Sequence, residues 1–212
     1  MSTCRYSKSL FPVMECLIDT YSETGRPVGF TAIQKCVGER HGRAHPEQVR
    51  RGLDSAHCLG YLKVVVGKYG AKYVPTLDGV VYTGVYTALA LNLGFVDELP
   101  QHTLFCLLRL VRSGVAMLSW AEAFNTLLEI QEGKDASRRE ILRGKLVDSL
   151  VAFKALLGIE VRGLAPRFYS RILTYIWRRA WFPIAIPPAF REAPGHQYLL
   201  KLIRGFAEAS CG

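Results

Sequence analysis

One stretch of this chain, Leu62 to Val74, has the pattern of a β-hairpin: a β-rich run from Leu62 to Val66, a tip of Gly67, Lys68, Tyr69 and Gly70, and a second run from Ala71 to Val74. Three helices are expected ahead of it. Leu10, Met14, Leu17, Ile18 and Tyr21 recur at helical spacing, and the polar string Ser22 to Gly25 ends that segment. Thr31 with Gln34 three residues later is a capping box that opens a second, short helix carrying Ile33 and Val37 and stopping at Gly38. Pro46 suits a first helical position, and Val49, Leu53 and Ala56 share one face of a third helix, 46–59, that closes at Gly60.

Beyond Gly94 no alternating strand pattern occurs, and helix starts recur instead. Pro100 precedes Leu104, Phe105, Leu108 and Val111; Ser119 with Glu122 is a capping box for a next helix that ends at Gly133. Ser137 with Glu140 opens a long helix stopped by Gly158, Pro166 opens one that runs to about Trp181, and Pro194 opens the last. The expected fold is therefore mainly α: residues 1–93 hold three helices, the hairpin and a linking helix, and residues 94–212 form an all-α bundle for dimerisation or partner and effector binding. Gly79 to Val96 is uncharged and reaches the lower length of a membrane span, but its Gly79, Thr83, Gly84, Thr87 and Asn92, with no basic flanks, favour a buried helix and no membrane.

The chain of 212 residues carries 27 Lys and Arg against 18 Asp and Glu, a formal net charge of +9, which favours nucleic acid or another acidic partner. Arg outnumbers Lys 18 to 9 and Asn plus Gln total only 7, a usage that leans toward a heat-adapted, archaeal source. With no leader pattern at Met1 to Lys8, a cytoplasmic or nucleoid-associated location is expected. Cys4, Cys16, Cys36, Cys58, Cys106 and Cys211 are scattered singly and read as buried small apolar residues rather than a disulfide framework, although intracellular disulfides do persist in hyperthermophiles.

Three helices followed by a hairpin is the order of a winged helix-turn-helix domain, and the likeness extends to residues 8–93 of this chain. Phe30-Thr31-Ala32-Ile33 resembles the opening of the second helix in such regulators. Val49-Arg50-Arg51-Gly52-Leu53 leading into Leu59-Gly60-Tyr61-Leu62 resembles their recognition helix running into the wing. Tyr73-Val74-Pro75-Thr76-Leu77-Asp78-Gly79 is similar to the Tyr-x-Leu-Thr-x-x-Gly signature that ends the wing in bacterial and archaeal members, with Pro75 in place of the usual Leu. The resemblance implies binding to double-stranded DNA, with helix 46–59 in the major groove and the hairpin against the backbone or minor groove.

A wheel of 100° per residue sets Gln48, Arg51 and Ser55 away from the Val49/Leu53/Ala56 face, and these are the candidate base-reading residues. Arg40, Arg43, Arg50, Lys63, Lys68, Tyr69 and Lys72 are the candidates for backbone and wing contacts. Glu47 and Asp54 on the same outward face oppose phosphate, so winged helices that grip protein stay in view, and the alternative is a non-enzymatic adaptor in a replication, segregation or transcription assembly.

Eight Lys or Arg against two Glu lie between Arg162 and Gly212, and Arg167, Arg171 and Arg178 fall on one narrow helical stripe suited either to phosphate or to a solvated face salt-bridged to Glu122 or Glu129. The aromatic and Pro-broken run Trp177 to Phe190 is expected either to cover the bundle core or to be shared across a homodimer. Cys36, His41, His45, His57 and Cys58 gather near the third helix in no zinc spacing, so no metal or cofactor is expected. No phosphate-binding Gly loop and no nucleophile elbow is present, and no enzyme is expected.

Overall fold

A computed structural model describes residues 4, 6–42, 44–68, 70–93, 101–133 and 135–180. Its element order is α1 (Leu10–Thr24), β1 (Val28–Gly29), α2 (Phe30–His41), α3 (Pro46–Cys58), β2 (Leu62–Gly67), β3 (Gly70–Pro75), α4 (Leu77–Leu93), α5 (Gln101–Glu132), α6 (Ala136–Leu156) and α7 (Pro166–Ala180). The fold is mainly helical with one small antiparallel sheet, ordered β1-β3-β2. Two compact units make up the chain: Met1–Thr83 with Glu160–Ile176, and Gly84–Ile159 with Trp177–Gly212.

In the first unit α1 is the central post. Leu10, Val13, Met14, Leu17, Ile18 and Tyr21 are buried along it, and Gly25 in the left-handed conformation (φ 65°) closes it by donating its N–H to the Tyr21 carbonyl. α2 starts one residue before Thr31 with Gly29 as N-cap, so the expected capping box does not form, and the Gln34 amide donates instead to the Ala44 carbonyl at 3.2 Å. α3 begins at Pro46, as its fixed φ favours, with the His45 ring accepting from the Glu47 N–H. It lies tight on α1, because a Cβ at Gly52 would stand 2.8 Å from the Ser9 carbonyl oxygen. In the hairpin Val65 pairs with Lys72 and Gly67 with Gly70, while β1 adds Val28 opposite Tyr73. Thr76 Oγ1 donates to the Gly60 carbonyl at 2.7 Å and accepts from the Gly79 N–H at 3.2 Å, which fastens the start of α4 to the turn after α3.

Sequence order puts the helix from Pro166 in the C-terminal half, yet residues through Ile176 belong to the first unit. Ser170 Oγ donates to the Tyr21 carbonyl at 3.2 Å, Tyr169 Oη donates to the Pro75 carbonyl at 3.3 Å, and the Tyr21 and Tyr169 rings meet edge to face. Burial pushes both tyrosine hydroxyls up, Tyr169 to about 12.

The cysteines do not behave as lone apolar residues. Cys4 is bonded to Cys58 and Cys16 to Cys36, with Cα separations of 5.7 and 5.8 Å, and Cys106 is disulfide-bonded as well. Separations of 54 and 20 residues hide these pairs from any short spacing rule; the packing of α1 on α2 creates the second one.

In the second unit α5 and α6 run antiparallel. The Arg112 guanidinium donates to the Leu156 carbonyl at 2.8 Å, Trp120 meets Phe153 at 5.3 Å, and Arg138 lies 3.9 Å from Glu129, a sequence of contacts that reverses along the two helices. α5 is one helix of 32 residues, so no break occurs at Ser119. With the preceding turn already helical, Ser119 is buried and its hydroxyl donates back to the Val115 carbonyl at 2.9 Å rather than capping anything. The cap of α6 is Asp135, whose carboxylate accepts from the Ser137 N–H at 2.9 Å, and Gly158 at φ 79° follows the end of the helix. By length and composition the helix segment Leu104–Glu132 is apolar enough to cross a membrane, an 18-residue window within it having a mean hydropathy of 1.5. The helix expected from Pro194 and the aromatic run beyond Ala180 lie outside the described residues.

Candidate nucleic-acid interface

α3 turns Val49, Gly52, Leu53, Ser55 and Ala56 inward and leaves Gln48, Arg50, Arg51 and Asp54 exposed. Of the three candidate base readers, Gln48 and Arg51 therefore face solvent and Ser55, 4% exposed, does not. The cause is Gly52: with no side chain there α1 comes so close that the buried arc widens from Leu53 round to Ser55. Arg51 pairs with Glu47 one turn earlier, Nε to carboxylate at 3.4 Å, a weak interaction between two well-exposed side chains.

Beside α3 an open cleft of about 560 Å³ lies between the start of α2 and the hairpin, lined by Phe30, Thr31, Arg50, Asp54, Lys72 and Tyr73 among others. The Arg50 guanidinium stands 5.6 Å from the Phe30 ring centre. Gly29 caps α2 with no side chain, so the positive end of that helix has no capping acceptor of its own and opens beside two cations. Burial raises the Tyr73 hydroxyl pKa, Asp54 raises it further and Arg50 opposes them. Phe30, Thr31 and Tyr73 are not among the contact residues expected from sequence. The signal for them is the helix opening at Phe30-Thr31, a position where anions are favoured.

Lys63, Lys68 and Lys72 are exposed on the hairpin. Lys63 and Val65 are two apart and Val65 pairs with Lys72, so Lys63 and Lys72 share a sheet face. Arg43 and Tyr69 lie outside the described residues. Arg40 is turned to structural use: its guanidinium pairs with Asp19 of α1, a hydrogen bond that raises its pKa, while His41 Nε2 lies 2.8 Å from the Glu15 carboxylate.

On α7, Arg167, Arg171 and Arg178 are all exposed and fall within one narrow stripe, with Ile172, Leu173 and Ile176 buried on the other side. Arg167 lies beside Gly25, next in sequence to the exposed Arg26, and Arg171 rests over the Phe168 ring at 5.7 Å. Glu122 forms an ion pair with Arg179, at 2.8 Å. Among the described residues no group of three or more His, Cys, Asp or Glu could hold a metal, and Cys36 and Cys58 are committed to disulfides. Comparison with protein-family models, with curated proteins and with solved structures finds no match to this chain.

Proposed function

We propose that this chain is a non-enzymatic DNA-binding protein of the transcription-regulator kind, working where cytoplasmic or nucleoid DNA is accessible, with α3 in the major groove and the β2–β3 hairpin as a wing. The observation that carries this reading is the outward face of α3, where exposed Gln48 and Arg51 project beside a cleft holding Arg50, Lys72 and the uncapped start of α2. Gln can pair with an adenine edge and Arg with guanine, while the cleft offers phosphate both cations and helix N–H groups. The three helices α1, α2 and α3 followed by the β2–β3 hairpin support the same reading, since that is the order the winged-helix resemblance implies. Arg167 and Arg171 on α7, in the same compact unit, supply further phosphate contacts.

Anisotropy titration with a mixed-sequence duplex at increasing salt tests it. Binding whose logarithm falls linearly with log salt is expected, by about 0.9 per phosphate contact on B-DNA. Absence of binding at low salt rejects the reading. A second reading, an adaptor that grips protein, is favoured by the exposed Val64, Val65 and Val66 on β2, an outer strand of the sheet that could accept another strand.

A further inference from the structure

We propose that two copies of this chain associate through the α5–α6 hairpin, α5 against α5, to form a four-helix bundle. Met117, Trp120, Phe124 and Leu127 recur on α5 at steps of three and four residues, with Leu128 alongside, which is the spacing of a coiled-coil seam. These five are 65, 47, 52, 41 and 41% exposed, whereas Val115, Ser119, Ala123 and Thr126 on the other side of the same helix are buried. Continued in both directions, the seam meets Leu110, Ser113 and Gln131, so no charge falls on it. Through the Trp120–Phe153 contact it joins a partly exposed row on α6, Leu146, Leu150 and Phe153, at helical spacing and continued by Leu157 at the helix's C-cap. The hairpin thus presents an apolar face two helices wide, the shape a second such hairpin fills.

The area agrees with a second copy as occupant. Taking about 200 Å² for a large apolar side chain, these exposures leave about 500 Å² on the α5 seam of each copy. The pair then buries about 1,000 Å², where specific interfaces begin, before the α6 row or any polar rim is added. A lipid surface fits less well. Amphipathic membrane helices carry Lys and Arg on the polar face opposite the apolar one, but α5 has only Arg109 and Arg112, and from Ser113 to Glu132, where the seam lies, it carries Glu122, Glu129 and Glu132 and no basic residue. Its inner face is already occupied by α6, whose Arg139, Arg143 and Lys145 would have to follow it into hydrocarbon.

The proposal concerns residues apart from the DNA-facing ones, and its test needs no DNA. Sedimentation of the full chain should give twice the chain mass. Met117→Glu with Phe124→Glu should give monomers of unchanged helix content by circular dichroism, with association weakened at least about 100-fold, since each copy is deprived of two seam anchors. Ile141→Glu, at an exposed apolar residue of α6 outside the row, should leave the dimer intact. If the double variant misfolds, Leu127→Gln carries the same test with a milder change. A monomeric wild type, a dimer that survives the seam substitutions, a dimer that Ile141→Glu dissolves equally well, or a monomer that collects on neutral phosphatidylcholine vesicles would each overturn the proposal.

Discussion

Removing the Cys16–Cys36 bond should cost this protein a fifth or more of an ordinary domain's stability. The bond closes a loop across a separation of 20 residues between α1 and α2. In the chain-entropy treatment a loop of that size removes about 3 kcal/mol of freedom from the unfolded state, against a typical domain stability of about 5–15 kcal/mol. With a urea m-value of about 2–3 kcal/mol/M, the paired substitution Cys16→Ala with Cys36→Ala should lower the unfolding midpoint by about 1–1.5 M. Cys16 is buried and Cys36 half-buried while Cys4 and Cys58 are exposed, so a thiol reductant applied to the folded protein should open Cys4–Cys58 first and Cys16–Cys36 more slowly. The assay is urea unfolding followed by far-UV circular dichroism, paired with thiol titration in denaturant. Free thiols at Cys16 and Cys36 in the unreduced protein, or a variant whose midpoint equals that of the wild type, would refute the reasoning.

Arg51→Ala should weaken binding to a preferred duplex by about 1–3 kcal/mol and relax discrimination at one base pair; Glu47→Gln should strengthen binding by removing the acid that shares Arg51, and titration against a panel of duplexes reports both. Neutralising Lys63 and Lys72 together should weaken binding to all duplexes alike and flatten the salt slope by roughly 0.9 for each phosphate no longer neutralised; an unchanged slope would put that hairpin face away from DNA. Tyr21 and Tyr169 have hydroxyls raised above the ordinary value of 10.0, so the folded state favours their neutral form: stability is full below pH 10.0 and falls as pH rises toward about 12. A spectrophotometric titration of tyrosinate, run with unfolding at each pH, checks this, and Tyr169→Phe should shrink the alkaline loss.

Periodicity serves well wherever one helix buries one stripe. α1, α3, α6 and α7 can be read from their apolar spacing with Pro46 and Pro166 as starts and Gly25 and Gly158 as stops, because those residues constrain backbone torsions locally. The capping boxes mislead because Ser or Thr followed by Glu or Gln is also an ordinary helical surface pattern. Ser119 sits in the middle of α5, where nothing local interrupts the helix, and Asp135 outcompetes Ser137 as a cap because it lies just before the first turn. Ser55 is misplaced by a wheel drawn on apolar residues alone, which gives Gly52 no weight although its missing side chain sets how near α1 can come. The disulfides and the docking of Ser170 on Tyr21 join residues far apart in sequence, and only the packed chain defines them.

The placement of Glu160–Ile176 within the same compact unit as Met1–Thr83 has a consequence for how this protein is made. During synthesis α1 through β3 leave the ribosome long before α7, so the Tyr21 and Pro75 carbonyls wait for Ser170 and Tyr169 while the intervening helices are translated. The nascent first unit is incomplete for that interval, and its native hydrogen bonding to α7 is gained only after the α5–α6 hairpin has been released. A stop codon between α6 and α7 would therefore damage the distant N-terminal unit as well as the helices beside the break, since both units contain residues that follow it, and a fragment ending at residue 93 would lack one wall of the unit it was meant to isolate.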